Sequence, residues 1–260
     1  AAAARNGKPF MLYLSHTSPH KPVIPLKRFR GQGDSGAYGE FMIETDWHVG
    51  RVLDWLDENK LADNTIVVFT SDNGPENTWR KRNEKFGHQS NGIYREGKRS
   101  IYEGGHRVPF LVRWPAKVKA GSRWEQPVCQ TDLLATFAEM FGKNLSDNAG
   151  EDSVSFYRAL TGENAPQRLA MIHHGMQGRY AIREGQWKLI MEGGRRAAKR
   201  ELYDLSADPG EKNDLIAKHP KVAKRLAKRI TEIIQNGRTT SGQPQPNDTP
   251  PWKDLVWMVD

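Results

Sequence analysis

The sequence has little cysteine and no long apolar run. Its one cysteine, Cys129, excludes an internal disulfide framework and a cysteine-based zinc site, although it does not decide the compartment. No apolar run approaches the roughly 18 residues that a membrane-spanning helix needs, which excludes such a helix in these 260 residues. Acidic residues are also fewer than basic ones, 31 against 39, so the net charge is +8.

The positive charge raises the question of polyanionic partners. It is densest between Arg195 and Arg229, where a solvated helix face is the simplest explanation and attraction of an anionic substrate is the second. The sequence has no zinc-finger spacing, RNA-recognition signature or Gly-Lys phosphate loop, which argues against nucleic acid as a partner. A non-catalytic module that binds sulfated polysaccharide through this basic region is a separate hypothesis.

The first half of the chain has the pattern of an α/β domain. Apolar runs predict strands at residues 9–15, 65–70 and 108–114, and helical spacing predicts helices at 38–60 and 131–141. The order strand, helix, strand predicts a right-handed crossover between parallel strands. Residues 74–107 show little periodicity and are predicted to be a long polar loop, and loops of this length in compact domains are either functional or disordered.

After a linker near residues 143–150 the pattern changes to short adjacent strands. They are predicted at residues 169–173, 180–183, 187–191 and 202–205, with a hairpin turn at Glu184-Gly185. A helix with Pro220 in its first turn and Gly237 as its stop follows. The sequence therefore predicts a small antiparallel sheet packed by one helix, then an extended tail with Trp252 and Trp257 folded back.

Asp72 and Asn73 stand where the strand at 65–70 ends. Ligands in α/β sheets bind beyond the carboxyl ends of the strands. A carboxylate beside a carboxamide offers hard oxygen donors, which suit calcium or magnesium better than zinc. The alternative is an ordinary Asx turn closed by Gly74.

His20 follows the strand predicted at 9–15. Pro19 and Pro22 stiffen the backbone around it, so its imidazole is held in place. A lone histidine is more often structural, but a sheet edge shared with Asp72 and Asn73 favours a functional role.

Lys98 lies between that oxygen-donor pair and the next strand. Gly104 and Gly105 allow tight turning of the same segment, and a lysine is a compact cation suited to a tetrahedral anion. Most loop lysines are merely solvated. The position of Lys98 is what makes it a candidate.

Together these segments resemble the sulfatase family, of the arylsulfatase type within the alkaline-phosphatase-like superfamily. The stretches that carry the likeness, in order along nearly the whole chain, are residues 15–22, 44–50 with 70–74, 97–109, 130–134, and 202–205 with Asp208, Pro209 and Glu211. The resemblance implies part of a mixed, largely parallel sheet with flanking helices, plus a smaller C-terminal antiparallel sheet with one helix. Residues 1–145 would be the C-terminal part of the catalytic domain, and residues 150–260 a small α+β subdomain.

The resemblance also implies roles for single residues. Asp72 and Asn73 match two metal ligands for one Ca²⁺, or Mg²⁺, and Lys98 matches the lysine that grips a sulfate oxygen. His20 matches the histidine that donates a proton to the leaving group. The remaining candidates are His16 as the alternative to His20, and His88 and Arg95 as residues that line the substrate pocket.

One departure from the family pattern concerns the nucleophile. Sulfatases make a formylglycine from a Cys/Ser-x-Pro-x-Arg motif, whereas Cys129 precedes Gln130-Thr131-Asp132 and no serine version occurs. The chain therefore resembles the C-terminal portion of a sulfatase without its formylglycine segment. We expect little or no turnover and weak metal affinity from this chain by itself.

The family implies sulfated sugars or aryl sulfates as substrates and a secreted or periplasmic location, and it leaves the oligomeric state open. The nearest rival is a phosphatase, phosphodiesterase or phosphonate hydrolase of the same superfamily. Two-zinc members usually have histidine where Asn73 stands, so Asn73 favours one hard cation and sulfate.

Overall fold

The fold is taken from a computed structural model that describes residues 6–176, 178–193, 199–246 and 255–258. Its helices are α1 (Ala37–Glu58), α2 (Trp79–Phe86), α3 (Glu103–His106), α4 (Asp132–Met140), α5 (Tyr157–Leu160) and α6 (Pro220–Asn236). Its strands are β1 (Val67–Thr70), β2 (Phe110–Arg113), β3 (Met171–His174), β4 (Tyr180–Glu184), β5 (Trp187–Ile190) and β6 (Glu201–Asp204). Strands β1 and β2 form one sheet, and β3-β4-β5-β6 form another in that order.

By its internal contacts the chain divides into two units. The first comprises Ala1–Phe69, Thr78–Ser90 and Leu111–Ala116, and the second Thr70–Asn77, Asn91–Phe110 and Lys117–Asp260. The second unit extends to both sides of residues 145–150, so the domain boundary predicted there stays a prediction.

Helix α1 is the longest element of the first unit. The buried carboxylate of Glu44 accepts the backbone N–H of Leu26 at 2.8 Å, which ties the preceding loop to the helix. Near its other end, the guanidinium of Arg113 donates to Asp57 at 2.8 Å, which ties β2 to the helix. The predicted helix at 38–60 is therefore confirmed, with bounds within two residues at each end.

The strand predicted at residues 9–15 is not formed. The segment has no regular secondary structure, and its side chains are exposed, Met11 by 84% and Tyr13 by 86%. A strand needs a neighbour to satisfy its backbone N–H and C=O groups, and no described residue pairs with this segment. The predicted crossover from this segment to β1 was therefore wrong.

The predicted antiparallel sheet is confirmed in the second unit. Ile182 is opposite Leu189, and Leu189 is opposite Leu202. Because side chains alternate along a strand, these residues share one face and their neighbours share the other. The first face packs against Leu226 and Ile230 of α6. The second face, formed by Ala181, Ile190 and Tyr203, packs against Ile101.

Helix α6 has the sequence signals of a well-defined helix. Pro220 occupies its first turn, and Gly237 ends it with a φ of 64°, a conformation that favours glycine. Ala223, Leu226 and Ile230 recur at helical spacing and are buried against the sheet. Trp257 packs on the same core as predicted, while Trp252 and Arg195 lie outside the described residues.

Two helices were missed in the stretch predicted to be a loop. Helix α2 is almost entirely polar, so it lacks the apolar stripe from which helices are predicted. Its Arg82 instead donates to the Thr78 hydroxyl at 3.0 Å and stacks 3.7 Å from the ring of Tyr38. Helix α3 is a single turn. No helix in the described parts of the chain is long and apolar enough to cross a membrane.

Substitution Leu226→Ala should strongly destabilise the protein. Leu226 is fully buried between α6 and the sheet, and removal of a buried leucine side chain costs about 2–5 kcal/mol. Urea unfolding followed by tryptophan fluorescence measures the change. The exposed Lys224 on the same helix is the control, because Lys224→Ala should change stability by no more than about 0.5 kcal/mol. Equal effects of the two substitutions would contradict the assignment of the core.

Candidate active site

Asp72 and Asn73 lie in the turn that follows β1. The Ser71 hydroxyl donates to the Asn73 carbonyl at 3.1 Å, and the Asn73 amide nitrogen donates to the Gly74 carbonyl at 3.0 Å. Gln130 of the Cys129–Thr131 turn donates to the Ser71 carbonyl at 2.5 Å. Hydrogen bonds within the turn and from Gln130 therefore hold it in place, and none of them is the bond from a backbone N–H to a side-chain oxygen that defines an Asx turn.

The segment that carries Lys98 is joined to this turn by backbone hydrogen bonds. The N–H of Lys98 donates to the Pro75 carbonyl at 2.9 Å, and the N–H of Gly74 donates to the Gly105 carbonyl at 3.1 Å. These bonds bring two segments more than twenty positions apart in the sequence to the same place in the second unit.

The junction is too tight for side chains. A Cβ atom added at Gly74 would lie 1.7 Å from the Gly104 carbonyl oxygen, and one added at Gly104 would lie 2.2 Å from the Glu96 carbonyl oxygen. Real Cβ atoms do not approach oxygen this closely. The glycines on both sides are therefore required by close backbone approach rather than by turn conformation.

Two further contacts fix the loop around Lys98. Arg99 pairs with Glu76 at 2.5 Å, and the N–H of Ser100 donates to the Gly97 carbonyl at 3.0 Å. Arg99 and Glu96 have φ values of 77° and 62°, which are strained for residues with side chains. Such strain persists only where the surroundings hold it, and it is frequent at ligand-binding loops.

The predicted histidines belong to the first unit. The N–H of His20 donates to the Thr17 carbonyl at 2.9 Å, and its Nδ1 lies 2.7 Å from the Lys21 carbonyl. The ring of His16 lies 5.7 Å from that of His48, whose Nε2 is 3.6 Å from Glu44.

His88 and Arg95 have different surroundings. The ring of His88 is 6.3 Å from that of Tyr38 in the first unit. In the second unit, Arg95 donates to the Tyr203 hydroxyl at 3.1 Å and to the Glu211 carbonyl at 3.0 Å. Arg95 thus has strong structural partners. The roles predicted for His16, His20, His88 and Arg95 toward a substrate stay predictions.

The Asp72–Asn73 pair fits a hard cation chemically. Because the Asn73 amide nitrogen is already used as a donor, its Oδ1 is left to act as a ligand. The Asp72 carboxylate is exposed and forms no hydrogen bond or ion pair with the other described residues. Two oxygens are fewer than the six to eight that Ca²⁺ takes. The described residues contain no cluster of three or more His, Cys, Asp or Glu side chains that could complete the set.

Sequence reasoning missed a buried ionic cluster beside this site. Lys188 of β5 is fully buried and lies 2.9 Å from both Glu103 and Glu211. The signal available was a lysine in the otherwise apolar strand Trp187–Ile190, which was predicted only as half of a hairpin. Glu211 was noticed, but only as part of a motif.

Two histidines also lie in this region. The rings of His106 and His173 are 4.7 Å apart, and Nε2 of His106 and Nδ1 of His173 are buried without a hydrogen-bond partner among the described residues. Burial, together with the nearby ammonium of Lys188, lowers the pKa of His106 to about 4 and the pKa of His173 well below 6.5. Both imidazoles are therefore neutral near pH 7.

Comparison with known proteins identifies the class to which this chain belongs. The family model described as Sulfatase matches residues 1–143, more than half of the chain. The chain belongs to the sulfatase family. A second family model, described as N-sulphoglucosamine sulphohydrolase, C-terminal, matches residues 92–236.

Individual relatives are also sulfatases by name. An N-acetylgalactosamine-6-O-sulfatase of Bacteroides thetaiotaomicron is 36% identical over 242 residues, which cover 87% of this chain and 47% of that protein. The human steryl-sulfatase is 36% identical over 156 residues, which cover 60% of this chain and 27% of that protein. The chain thus spans about half the length of the first relative and a smaller share of the second.

A solved structure shows the same fold. It comes from work on the metabolism of multiple glycosaminoglycans by Bacteroides thetaiotaomicron and superposes with a TM-score of 0.80 at 34% identity. The match covers 89% of this chain and 51% of that chain. The predicted fold class, an alkaline-phosphatase-like sulfatase fold with a C-terminal antiparallel sheet, is confirmed.

Substitution Gly74→Ala should separate the two segments of the site. The added methyl group overlaps the Gly104 carbonyl, so the Gly74–Gly105 hydrogen bond cannot form. We expect a loss of about 1–3 kcal/mol of stability, measured by urea unfolding.

Gly50 in helix α1 is the matched control. A Cβ atom there meets nothing within 4 Å, so Gly50→Ala should stabilise the protein by up to about 1 kcal/mol. A Gly74→Ala variant with unchanged stability would refute the tight junction.

Stability should also fall in acid because of His106. Its pKa is about 4 in the folded protein against 6.5 ordinarily, so acid protonates the unfolded chain first. The stabilisation from neutral His106 is complete above pH 6.5 and is lost as the pH falls to 4, by at most about 3 kcal/mol. Urea unfolding at several pH values measures this slope. The slope should be shallower in His106→Gln, and an identical slope would show that His106 does not titrate in this way.

Proposed function

We propose that this chain is the C-terminal part of a sulfatase that hydrolyses sulfate monoesters. The observation that carries the proposal is the hydrogen bond from the Lys98 N–H to the Pro75 carbonyl, because it joins the lysine segment to the oxygen-donor pair. A cation site beside a lysine whose backbone is fixed suits an ester that is already an anion and gains charge on its leaving oxygen.

The described residues have distinct roles in this proposal. Asp72 and Asn73 hold part of the coordination of one Ca²⁺, with Mg²⁺ as the alternative. When bound, this ion offsets negative charge on the sulfate. The ammonium of Lys98 contacts a sulfate oxygen. This interaction strengthens as negative charge builds up in the transition state.

A proton is needed where the leaving group departs. His20 is the proposed donor because a histidine side chain can act as a general acid near neutral pH. His16 is the alternative on the same segment. The nucleophile of the proposal is a formylglycine in a part of the protein that this chain does not include, since Cys129 lacks the required motif.

The substrate is proposed to be a sulfated sugar. Support comes from the relative named N-acetylgalactosamine-6-O-sulfatase, which aligns with most of this chain. The similarity to a steryl-sulfatase keeps other sulfate monoesters, including aryl sulfates, as alternatives. A secreted or periplasmic location is proposed with the family.

The rival is hydrolysis of a phosphate or phosphonate ester by the same fold. Asn73 favours sulfate, because a carboxamide oxygen suits one hard cation whereas an imidazole there would suit a second zinc. Relative rates on an aryl sulfate, an aryl phosphate and an aryl phosphonate decide between them.

The test uses a longer protein that contains this chain and its upstream coding region. We expect hydrolysis of 4-nitrophenyl sulfate that a chelator abolishes and Ca²⁺ restores. Substitution Lys98→Ala should lower kcat by at least about 10²-fold, since it removes a preorganised charge from the transition state. The exposed Lys119 is the control, and Lys119→Ala should leave kcat and KM unchanged.

Two outcomes would reject the proposal. One is sulfate hydrolysis that resists both chelation and Lys98→Ala. The other is faster hydrolysis of the phosphate or phosphonate ester, which would establish the rival function.

A further inference from the structure

Lys188 occupies an unusual position for a charged side chain. It is in the middle of the four-stranded sheet and is fully buried. The alternation along β5 puts it on the same face as Ile190, which packs on Ile101 of the Lys98 loop. Transfer of an ammonium from water to the interior costs several kcal/mol unless close partners compensate.

The partners of Lys188 are two carboxylates that are themselves buried. Its Nζ lies 2.9 Å from Oε1 of Glu103 and 2.9 Å from Oε1 of Glu211, whose exposed fractions are 2% and 0%. The second oxygen of Glu211 accepts the backbone N–H of Glu103 at 2.6 Å. Arg107 and Arg183 both lie 3.8 Å from the other oxygen of Glu103, Oε2. The three buried groups thus form a closed cluster, with Lys188 at its centre.

The pKa values of the two carboxylates shift in opposite directions. Burial disfavours ionisation of Glu103, but the attraction of Lys188 and the nearby arginines outweighs it and lowers the pKa of Glu103. Burial raises the pKa of Glu211 in spite of Lys188. The ion pair between Lys188 and Glu103 is therefore the electrostatic centre of the cluster.

Glu103 is connected by consecutive backbone bonds to the candidate active site. It begins α3, and the next residue, Gly104, donates its N–H to the Arg95 carbonyl at 2.9 Å. Gly105 then accepts the N–H of Gly74, which directly follows Asn73. A shift of Glu103 would therefore move α3 and both segments that α3 holds.

We propose that Lys188 is a positioning residue: its ammonium holds Glu103, and through Glu103 the loop that presents Lys98 beside the oxygen-donor pair. The part of this inference that concerns catalysis rests on the proposed function. Folding alone does not account for the cluster, because apolar residues of similar volume often stabilise a core equally well. The buried charges therefore have a second role, which is to fix the position of α3.

The first experiment measures hydrogen exchange in this chain. The reporters are the amide protons of Lys98, Gly104 and Gly74, and the reference amides are those of Leu226 and Ile230 in α6. Substitution Lys188→Met should speed exchange of the reporters about tenfold through local opening, with the reference amides changed less than about twofold.

Two further variants make this experiment decisive. The triple variant Lys188→Met, Glu103→Gln, Glu211→Gln removes every charge of the cluster, so it tests the tether if Lys188→Met alone unfolds. Arg225→Met is the matched control, because it breaks an exposed ion pair with Glu184 of the same sheet. It should leave the reporters unchanged. Unchanged exchange rates of the reporter amides in Lys188→Met or in the triple variant would overturn the proposal. So would exchange of the reference amides that is accelerated as much as that of the reporters in both variants.

The second experiment uses the longer, active protein. Substitution Lys188→Met should lower kcat/KM for an aryl sulfate about 10²-fold, the penalty typical of a displaced catalytic group. KM should rise about tenfold, since Lys98 also holds the sulfate before reaction. If Lys188→Met only reduced the fraction of folded enzyme, apparent kcat would fall and KM would stay constant. Lys188→Arg should recover most of the loss. A constant KM, or no recovery with arginine, would contradict positioning.

The two proposals fail in different ways. Absence of sulfatase activity in the unsubstituted protein would reject the proposed function, and the exchange experiment would then decide by itself whether Lys188 holds the loop. Full activity with unchanged kinetics in Lys188→Met would reject the positioning role and leave the proposed function standing.

Discussion

The N–H of Gly74 meets the carbonyl of Gly105 at 3.1 Å, in a place where a methyl group has no room. The geometry proposed for the site depends on this contact. It joins the turn that carries Asp72 and Asn73 to the loop that carries Lys98, which are distant in sequence. Because the junction consists of backbone alone, its geometry is set by hydrogen bonds rather than by flexible side chains, and small displacements there would separate a proposed cation from a proposed ammonium.

The C-terminal sheet supports this junction from one of its faces. Leu189 and Leu202 face helix α6 and form an apolar core, whereas Ile190 and Tyr203 face Ile101 in the Lys98 loop. Lys188 lies on that second face, where burial and the carboxylates make it an ionic anchor. One face of this small antiparallel sheet thus forms a stable core, and the other face supports the Lys98 loop.

Sequence patterns predicted the elements that are regular and amphipathic. Helix α6 was predicted with both ends, since Pro220 and Gly237 carry local signals and its apolar positions repeat. The same rules failed at residues 9–15, because an apolar run predicts a strand only if a neighbour is there to pair with it. They also failed at α2, because this helix is mostly polar and has no repeating apolar positions. It is held instead by Arg82, which stacks on Tyr38. For the candidate site, the pattern identified Asp72, Asn73 and Lys98 one by one, and the family resemblance assigned their roles.

The sequence by itself determined the family, the order of most elements and the residue types from which the proposed chemistry is built, because these depend on local patterns and short motifs. Only the tertiary structure decided that the Lys98 segment hydrogen-bonds to Pro75 and that Arg95 hydrogen-bonds to Tyr203 and Glu211. It also decided that Lys188 is buried between Glu103 and Glu211. The physical reason is that contacts between distant segments depend on close packing and on the desolvation of charges, neither of which leaves a periodic trace in the chain.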